Sequence, residues 1–247
     1  TLNEIRNFQK DNKHKYVGYY GEFAKCRNLS LEDIEKKIAA GEKWVLRFKN
    51  PAKPGDRITF NDHIKGEIEQ DANLNDVVII KEDGLPPYNF AHVCDDHFMR
   101  TTLVIRGVEY AGVSTTEHIQ LFNACGFEVP TYAHNPNIMK LDESTGNAVK
   151  LSKSKHKEAS VSFYLRDGYP VDAVVDYMYL LANSDFEEWR EQNPVAKISE
   201  FKLNINKLSK SGSVFDTDKL NSISKNRIAL KTAKEVYEET VNWAEQY

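Results

Sequence analysis

The chain has 247 residues, of which 40% are hydrophobic and 28% charged, enough for one large core or two modest ones. Lys and Arg number 33 against 37 Asp and Glu, a net charge of −4, which excludes a globally basic nucleic-acid binder but not a local basic site. Cys26, Cys94 and Cys125 are too few and too scattered for a disulfide scaffold and point to a reducing compartment, the cytoplasm, with no membrane partner. The longest apolar runs, such as Val77-Val78-Ile79-Ile80, fall well short of the roughly 20 residues of a membrane span. The chain opens at Thr1 in mid-pattern, as expected of a piece of a longer protein.

Ser30 precedes a helix with Leu31, Ile34 and Ile38 on one side and Gly41 as its stop. Short alternating runs follow at 43–48, 57–61, 65–69 and 76–81, separated by turn residues. They predict an antiparallel meander with that helix packed on it. The turn Glu82–Pro87 ends this region. Tyr88–Val93 opens an apolar segment, and Thr102–Ile105 has the pattern of a strand buried on both faces. Ser114-Thr115-Thr116-Glu117 reads as a capping box, starting a helix that Gly126 stops. Strand then helix predicts a unit of a parallel sheet, hence an α/β fold. The last hundred residues read as helical, with Pro170 at one helix start and another helix over 226–244.

Three groups of residues invite a chemical reading. Lys150, Lys153, Lys155, His156 and Lys157 crowd one turn after the polar stretch 143–147. Clustered ammonium groups suit polyphosphate, although a lysine run is as a rule only a solvated turn. The string Lys-Leu-Ser-Lys-Ser occurs twice, at 150–154 and 207–211. Arg106 follows the buried run at a strand's carboxyl end, where ligands of parallel sheets bind and a guanidinium can grip a carboxylate; an interior ion pair with Glu109 or Asp96 is the alternative. His92–His97 lacks the spacing of a closed zinc site, and Asp95-Asp96 suits a helix N-terminus as well as Mg²⁺. Neither a P-loop nor a dinucleotide fingerprint is present.

In order along the chain stand Cys26–Ser30, Trp44–Lys49, Asp83–Ala91, Val93–Met99, Thr102–Tyr110, Ser114–His118, Ala133-His134, Lys150–Ser154, Ser209–Gly212, Val214–Asp216 and Lys219-Leu220. Together they resemble the glutamyl-tRNA synthetases of bacterial type, class I aminoacyl-tRNA synthetases, over residues 15–225. The resemblance implies an α/β fold: the second half of a Rossmann-like catalytic domain (88–149), an inserted α+β acceptor-binding domain (1–87), and the lysine loop with a helical stem-contact domain (150–247). It selects 150–154 as the family's mobile K-M-S-K-S-type loop, because that copy lies downstream of the Ile-Arg-Gly and Ala-His segments.

By the same resemblance Tyr88, His92 and Arg106 are expected on the glutamate side, with Arg106 gripping a carboxylate. Glu109 is expected near the nucleotide and the tRNA terminus. Lys153 is expected to stabilise the ATP phosphates, with Lys150, Leu151 and Ser152 supporting the loop, while Lys207 and Lys210 meet tRNA. The implied activity is glutamate–tRNA ligation: ATP with Mg²⁺ activates L-glutamate, which passes to tRNA(Glu). Glutaminyl-tRNA synthetase, a tRNA(Asp)-modifying relative and a non-catalytic acceptor-binding module are the alternatives.

The departures are specific. The family's H-I-G-H string and its anticodon-binding domain are missing, Pro87 stands where Thr is usual, and His92 where Asn is usual. These predict a monomeric interior fragment without zinc that neither holds ATP tightly nor aminoacylates alone, although Arg106 and Lys153 converge on one cavity in the whole enzyme.

Overall fold

A computed structural model of the chain describes residues 2–142 and 144–247. The chain divides into two compact units, one ending at Ala133 and the other beginning at His134.

The first unit opens with α1 (Leu2–Asp11), whose buried Gln9 makes two hydrogen bonds to the Gly18 backbone. Helix α2 (Leu31–Ala39) starts where expected, with the Ser30 hydroxyl accepting from the Asp33 amide. It does not pack on strands, however: α2 buries none of its residues, and Leu31 is 80% exposed. The predicted meander also divides. Among the described residues β1 (Leu46–Arg47) pairs only with β4 (Val78–Ile80), whereas β2 (Arg57–Asp62) and β3 (Gly66–Asp71) form a hairpin in a different sheet. That sheet has the order β3-β2-β6-β5, with β5 (Leu103–Gly107) at its edge and β6 (Thr131–Asn135) parallel to β2 at Asp62 and Tyr132. Strand alternation gives each run's face but not its partner, so the misassigned pairing is a tertiary outcome.

The burial of β5 corrects a second expectation. Only Val104 is buried, and Ile105 stands 47% exposed, because successive side chains point to opposite faces and α4 packs on the Val104 face. Segment 88–98 is helix α3 (Tyr88–Phe98), which places Asp95 and Asp96 near its C-terminal end rather than at a helix start. Helix α4 (Val113–Cys125) begins at Gly112, before the expected capping box. The Thr115 and Thr116 hydroxyls donate back to the carbonyls of Tyr110 and Val113, and Glu117 turns inward. Gly126 ends α4 in the left-handed conformation, as a glycine stop should. Two apolar clusters hold these elements. Val93, Leu121 and Phe122 pack α3 on α4, and Val104, Ile119 and Tyr132 pack α4 on the sheet. Each fully buried side chain of this kind contributes roughly 1.5–3 kcal/mol.

In the second unit β7 (Met139–Leu141) and β8 (Ala148–Lys150) form a hairpin. The expected polar turn lies between them; of its residues Glu143 lies outside the described residues. The Asp142 carboxylate accepts the amides of Ser144 and Thr145 and, held by the Ser144 and Thr145 hydroxyls as well, has its pKa lowered to about 2. Helices α5 (Val161–Arg166), α6 (Val171–Ala182), α7 (Phe186–Gln192), α8 (Thr217–Ala229) and α9 (Ala233–Gln246) follow, and Pro170 caps α6 as expected. The helix expected over 226–244 is instead the end of α8 and the whole of α9. Thr232 and Glu235 form a capping box that starts a new helix. Tyr164, Tyr177, Phe215 and Leu220 make the core of this unit, and Leu151 packs against it.

Candidate functional site

The residues expected on the glutamate side lie on three adjoining elements of the first unit. Tyr88 opens α3 and His92 stands one turn later, so the two side chains share a helix face, with rings 5.7 Å apart. Arg106 is the penultimate residue of β5 and is half-buried. Its Nη2 donates to Thr115 Oγ1 at 2.7 Å, and its Nη1 lies 3.2 Å from His118 Nδ1. The guanidinium carbon lies 5.4 Å from the Tyr110 ring centre and 5.3 Å from that of Tyr132. Arg106 is thus held by hydroxyl, imidazole and aromatic faces, and Asp96, whose Oδ2 lies 3.0 Å from His92 Nε2, also acts on its charge.

The electrostatics follow from burial. His118 is completely buried, and desolvation, with His92 and Arg106 beside it, lowers its pKa to about 3. Burial also lowers the pKa of His92, against the pull of Asp96. The Tyr132 hydroxyl is pushed up to about 12, first by burial. Arg106 is lowered by desolvation, which the Tyr132 and Tyr88 hydroxyls oppose. Burial thus keeps the His92 and His118 imidazoles neutral beside the Arg106 guanidinium, on which the Asp96 charge also acts.

Sequence reasoning missed Asn89, Thr115, Glu117 and His118. His118 Nε2 lies 3.0 Å from Asn89 Oδ1, Asn89 Nδ2 donates to Glu117 Oε1 at 2.7 Å, and Asn73 Nδ2 reaches Glu117 Oε2 at 3.2 Å. The spacing of Thr115 and His118, three apart on α4, was the available signal. The capping-box pattern of Ser114 and Glu117 masks it. Glu109 lies in the 3-10 turn Val108–Tyr110, directly after β5.

The lysine loop belongs to the second unit. Lys150 ends β8, and the Leu151 amide donates to the Ile138 carbonyl. Ser152–His156 closes as a turn: the Ser152 amide donates to His156 Nδ1 at 3.1 Å, and the His156 amide to the Ser152 carbonyl at 2.9 Å. This turn presents Lys153 outward at the rim of a cavity of about 550 Å³ lined also by Ile138, Leu151, Glu158, Tyr164 and Met178. The second copy of the string is differently placed. Leu208 is buried and bridges Asn183, the Ser209 amide donates to the Ala182 carbonyl, and Lys207 Nζ lies 3.8 Å from Asp185. Lys210 follows in an exposed stretch. Among the described residues no group of three or more His, Cys, Asp or Glu side chains is placed to hold a metal ion, and no helix is long and apolar enough to cross a membrane.

Residues 1–222 match the family model of class I tRNA synthetases (E and Q), catalytic domain. A glutamate–tRNA ligase of Clostridium beijerinckii is 49% identical over 246 residues, covering 100% of this chain and 44% of that protein. The glutamate–tRNA ligase of Clostridium perfringens strain 13 is 50% identical over 230 residues, covering 93% of this chain and 42% of its own. The crystal structure of a glutamate tRNA ligase from Elizabethkingia meningosepticum in complex with its amino acid superposes with a TM-score of 0.81 at 26% identity, covering 99% of this chain and 51% of that one. The chain therefore spans less than half the length of these curated relatives. With a mixed α/β fold, a strand-end arginine among aromatic and imidazole side chains, and a family match over nearly its whole length, the chain belongs to the class I glutamyl and glutaminyl tRNA synthetases, in their catalytic domain.

Proposed function

We propose that the whole protein is a cytoplasmic glutamate–tRNA ligase, and that this chain supplies the amino-acid pocket and the phosphate-handling loop of its catalytic domain. The observation that carries the reading is the cluster of Tyr88, His92 and Arg106, in which aromatic rings and neutral imidazoles surround a single anchored guanidinium. A carboxylate side chain is the complement of a guanidinium, which can hold it through two parallel hydrogen bonds. Arg106 binds the glutamate carboxylate, with Tyr88 and His92 lining its path.

Lys153 stabilises the charge that develops on the ATP phosphates as pyrophosphate leaves. Lys150, Leu151 and Ser152 hold the loop, the last two through the Ile138 carbonyl and His156. The lysine ammonium groups fit phosphate oxygens; Mg²⁺ arrives with the nucleotide, held by its phosphates. The attack of the glutamate carboxylate on the α-phosphorus needs positioning and charge stabilisation more than proton transfer, so no general base is required of this chain. Transfer to the terminal ribose of tRNA(Glu) follows, with Glu109 near that terminus and Lys207 and Lys210 on tRNA.

ATP–pyrophosphate exchange by the full-length protein tests this. Exchange should depend on glutamate and not glutamine, and Lys153→Ala should slow it by about 10²-fold while glutamate KM changes little, because the contact belongs to the transition state. Glutamine-dependent exchange, or an unaltered rate in Lys153→Ala, refutes the substrate or the role respectively.

A further inference from the structure

Thr115 accepts one hydrogen bond from Arg106 and donates its own hydroxyl hydrogen to the Tyr110 carbonyl at 2.6 Å, so one side of the guanidinium is held by a group with a defined direction. The other side rests on His118, and the direction there can be derived. A guanidinium only donates, so His118 Nδ1, 3.2 Å from Arg106 Nη1, is an acceptor. In a neutral imidazole the proton then sits on Nε2, which donates to Asn89 Oδ1 at 3.0 Å. With its oxygen facing the imidazole, Asn89 turns its amide nitrogen to Glu117 Oε1 at 2.7 Å, and the second oxygen of Glu117 accepts from Asn73 Nδ2. Every link runs one way, and the chain ends on a carboxylate that can only accept while ionised. His118 is fully buried, and no solvent competes for its ring nitrogens. The groups that face it are His92 with its ring 4.4 Å away, Tyr88 at 6.1 Å, Asn89 and Arg106.

We propose that His118 is a positioning residue: Glu117, acting through Asn89, locks it in the Nε2–H tautomer so that Nδ1 holds the Arg106 guanidinium in place for the carboxylate of the amino-acid substrate. This deepens the reading of Arg106 given above and rests on it. None of Asn89, Glu117 or His118 need touch the substrate. The device explains why a histidine is buried beside a cation. A protonated ring would set N–H against N–H, and the opposite tautomer would break both links at once.

Three His118 variants of the full-length enzyme separate the links. In His118→Asn the side-chain oxygen takes the place of Nδ1 and still accepts from Arg106. In His118→Gln the polar atoms take the place of Nε2, and in His118→Leu both links are lost. We expect His118→Leu and His118→Gln to raise glutamate KM at least about tenfold with ATP KM unchanged, and His118→Asn to stay within about threefold of the parent. In the ¹⁵N-histidine NMR spectrum of the parent enzyme, the signals that vanish in His118→Asn should report a neutral Nε2–H ring at pH 6. A Nδ1–H or doubly protonated ring overturns the proposal even where a variant fails to fold. So does an unaltered glutamate KM in folded His118→Leu when Arg106→Ala raises it. If Arg106→Ala itself leaves glutamate KM unchanged, the placement of the carboxylate at Arg106 is what fails, and the inference built on it falls with it.

Discussion

Asp176 offers the sharpest test of how the unit carrying the lysine loop is held together. It is buried in α6, and its Oδ1 accepts from Arg190 Nη2 of α7 at 2.8 Å, while its Oδ2 lies 3.7 Å from Arg227 Nε of α8. Each arginine also clasps a loop. Arg190 donates to the carbonyls of Asn193 and Ala196, and Arg227 to that of Pro194. Asp176→Asn removes the charge while keeping the shape, and leaves the partly desolvated Arg190 guanidinium facing a neutral amide, while Arg227 keeps Asp172 at 3.1 Å. At 2.8 Å and an effective dielectric constant of about 20 the attraction to Arg190 alone is about 6 kcal/mol; the desolvation of both ions opposes it. Breaking such a buried pair costs about 3–5 kcal/mol. For a unit of a little over a hundred residues the unfolding entropy is about 0.24 kcal/mol/K, so Tm should fall by roughly 12–20 °C. Thermal unfolding followed by circular dichroism measures it. Lys234→Gln, which breaks the exposed pair with Glu238, is the control and should shift Tm by less than about 2 °C. A fall in Asp176→Asn no larger than in that control refutes the reasoning.

Two further outcomes follow from the first unit. The pKa of His118 is lowered from 6.5 in the unfolded chain to about 3, so between these values the unfolded chain binds a proton that the folded one refuses. Stability is therefore insensitive to this group above about pH 6.5 and falls by about 1.4 kcal/mol per pH unit below it, with His92 adding in the same sense. Urea midpoints at pH 7 and pH 5 measure this. The drop should be smaller in His118→Asn, and equal drops refute it. Gly126 has φ +69° at the end of α4 with nothing within 4 Å of the space a Cβ would fill, so Gly126→Ala meets backbone strain alone. It should cost about 1 kcal/mol and Gly126→Asn less; a stabilised Gly126→Ala is inconsistent with the left-handed cap.

What could be read from the sequence was local or cumulative. Ser30 and Gly126 announce helix ends because capping involves groups a few residues apart. Pro170 announces a helix start through its own fixed φ. The family was legible because many short strings stand in order, a signal no single motif provides. The partners were not legible. Nothing in 57–71 says that β2 will lie beside β6 rather than beside β1, and nothing in Leu103–Ile105 says that β5 ends at a sheet edge. The same holds at the candidate site. Tyr88, His92 and Arg106 could be named from their strings, but Glu117 looked like a cap until the fold turned it inward to Asn89 and Asn73. Local hydrogen-bonding preferences are written into neighbouring residues. The direction of a buried polar chain is set only when the packing of α3, α4 and β5 removes water from its donors and acceptors and leaves them one another.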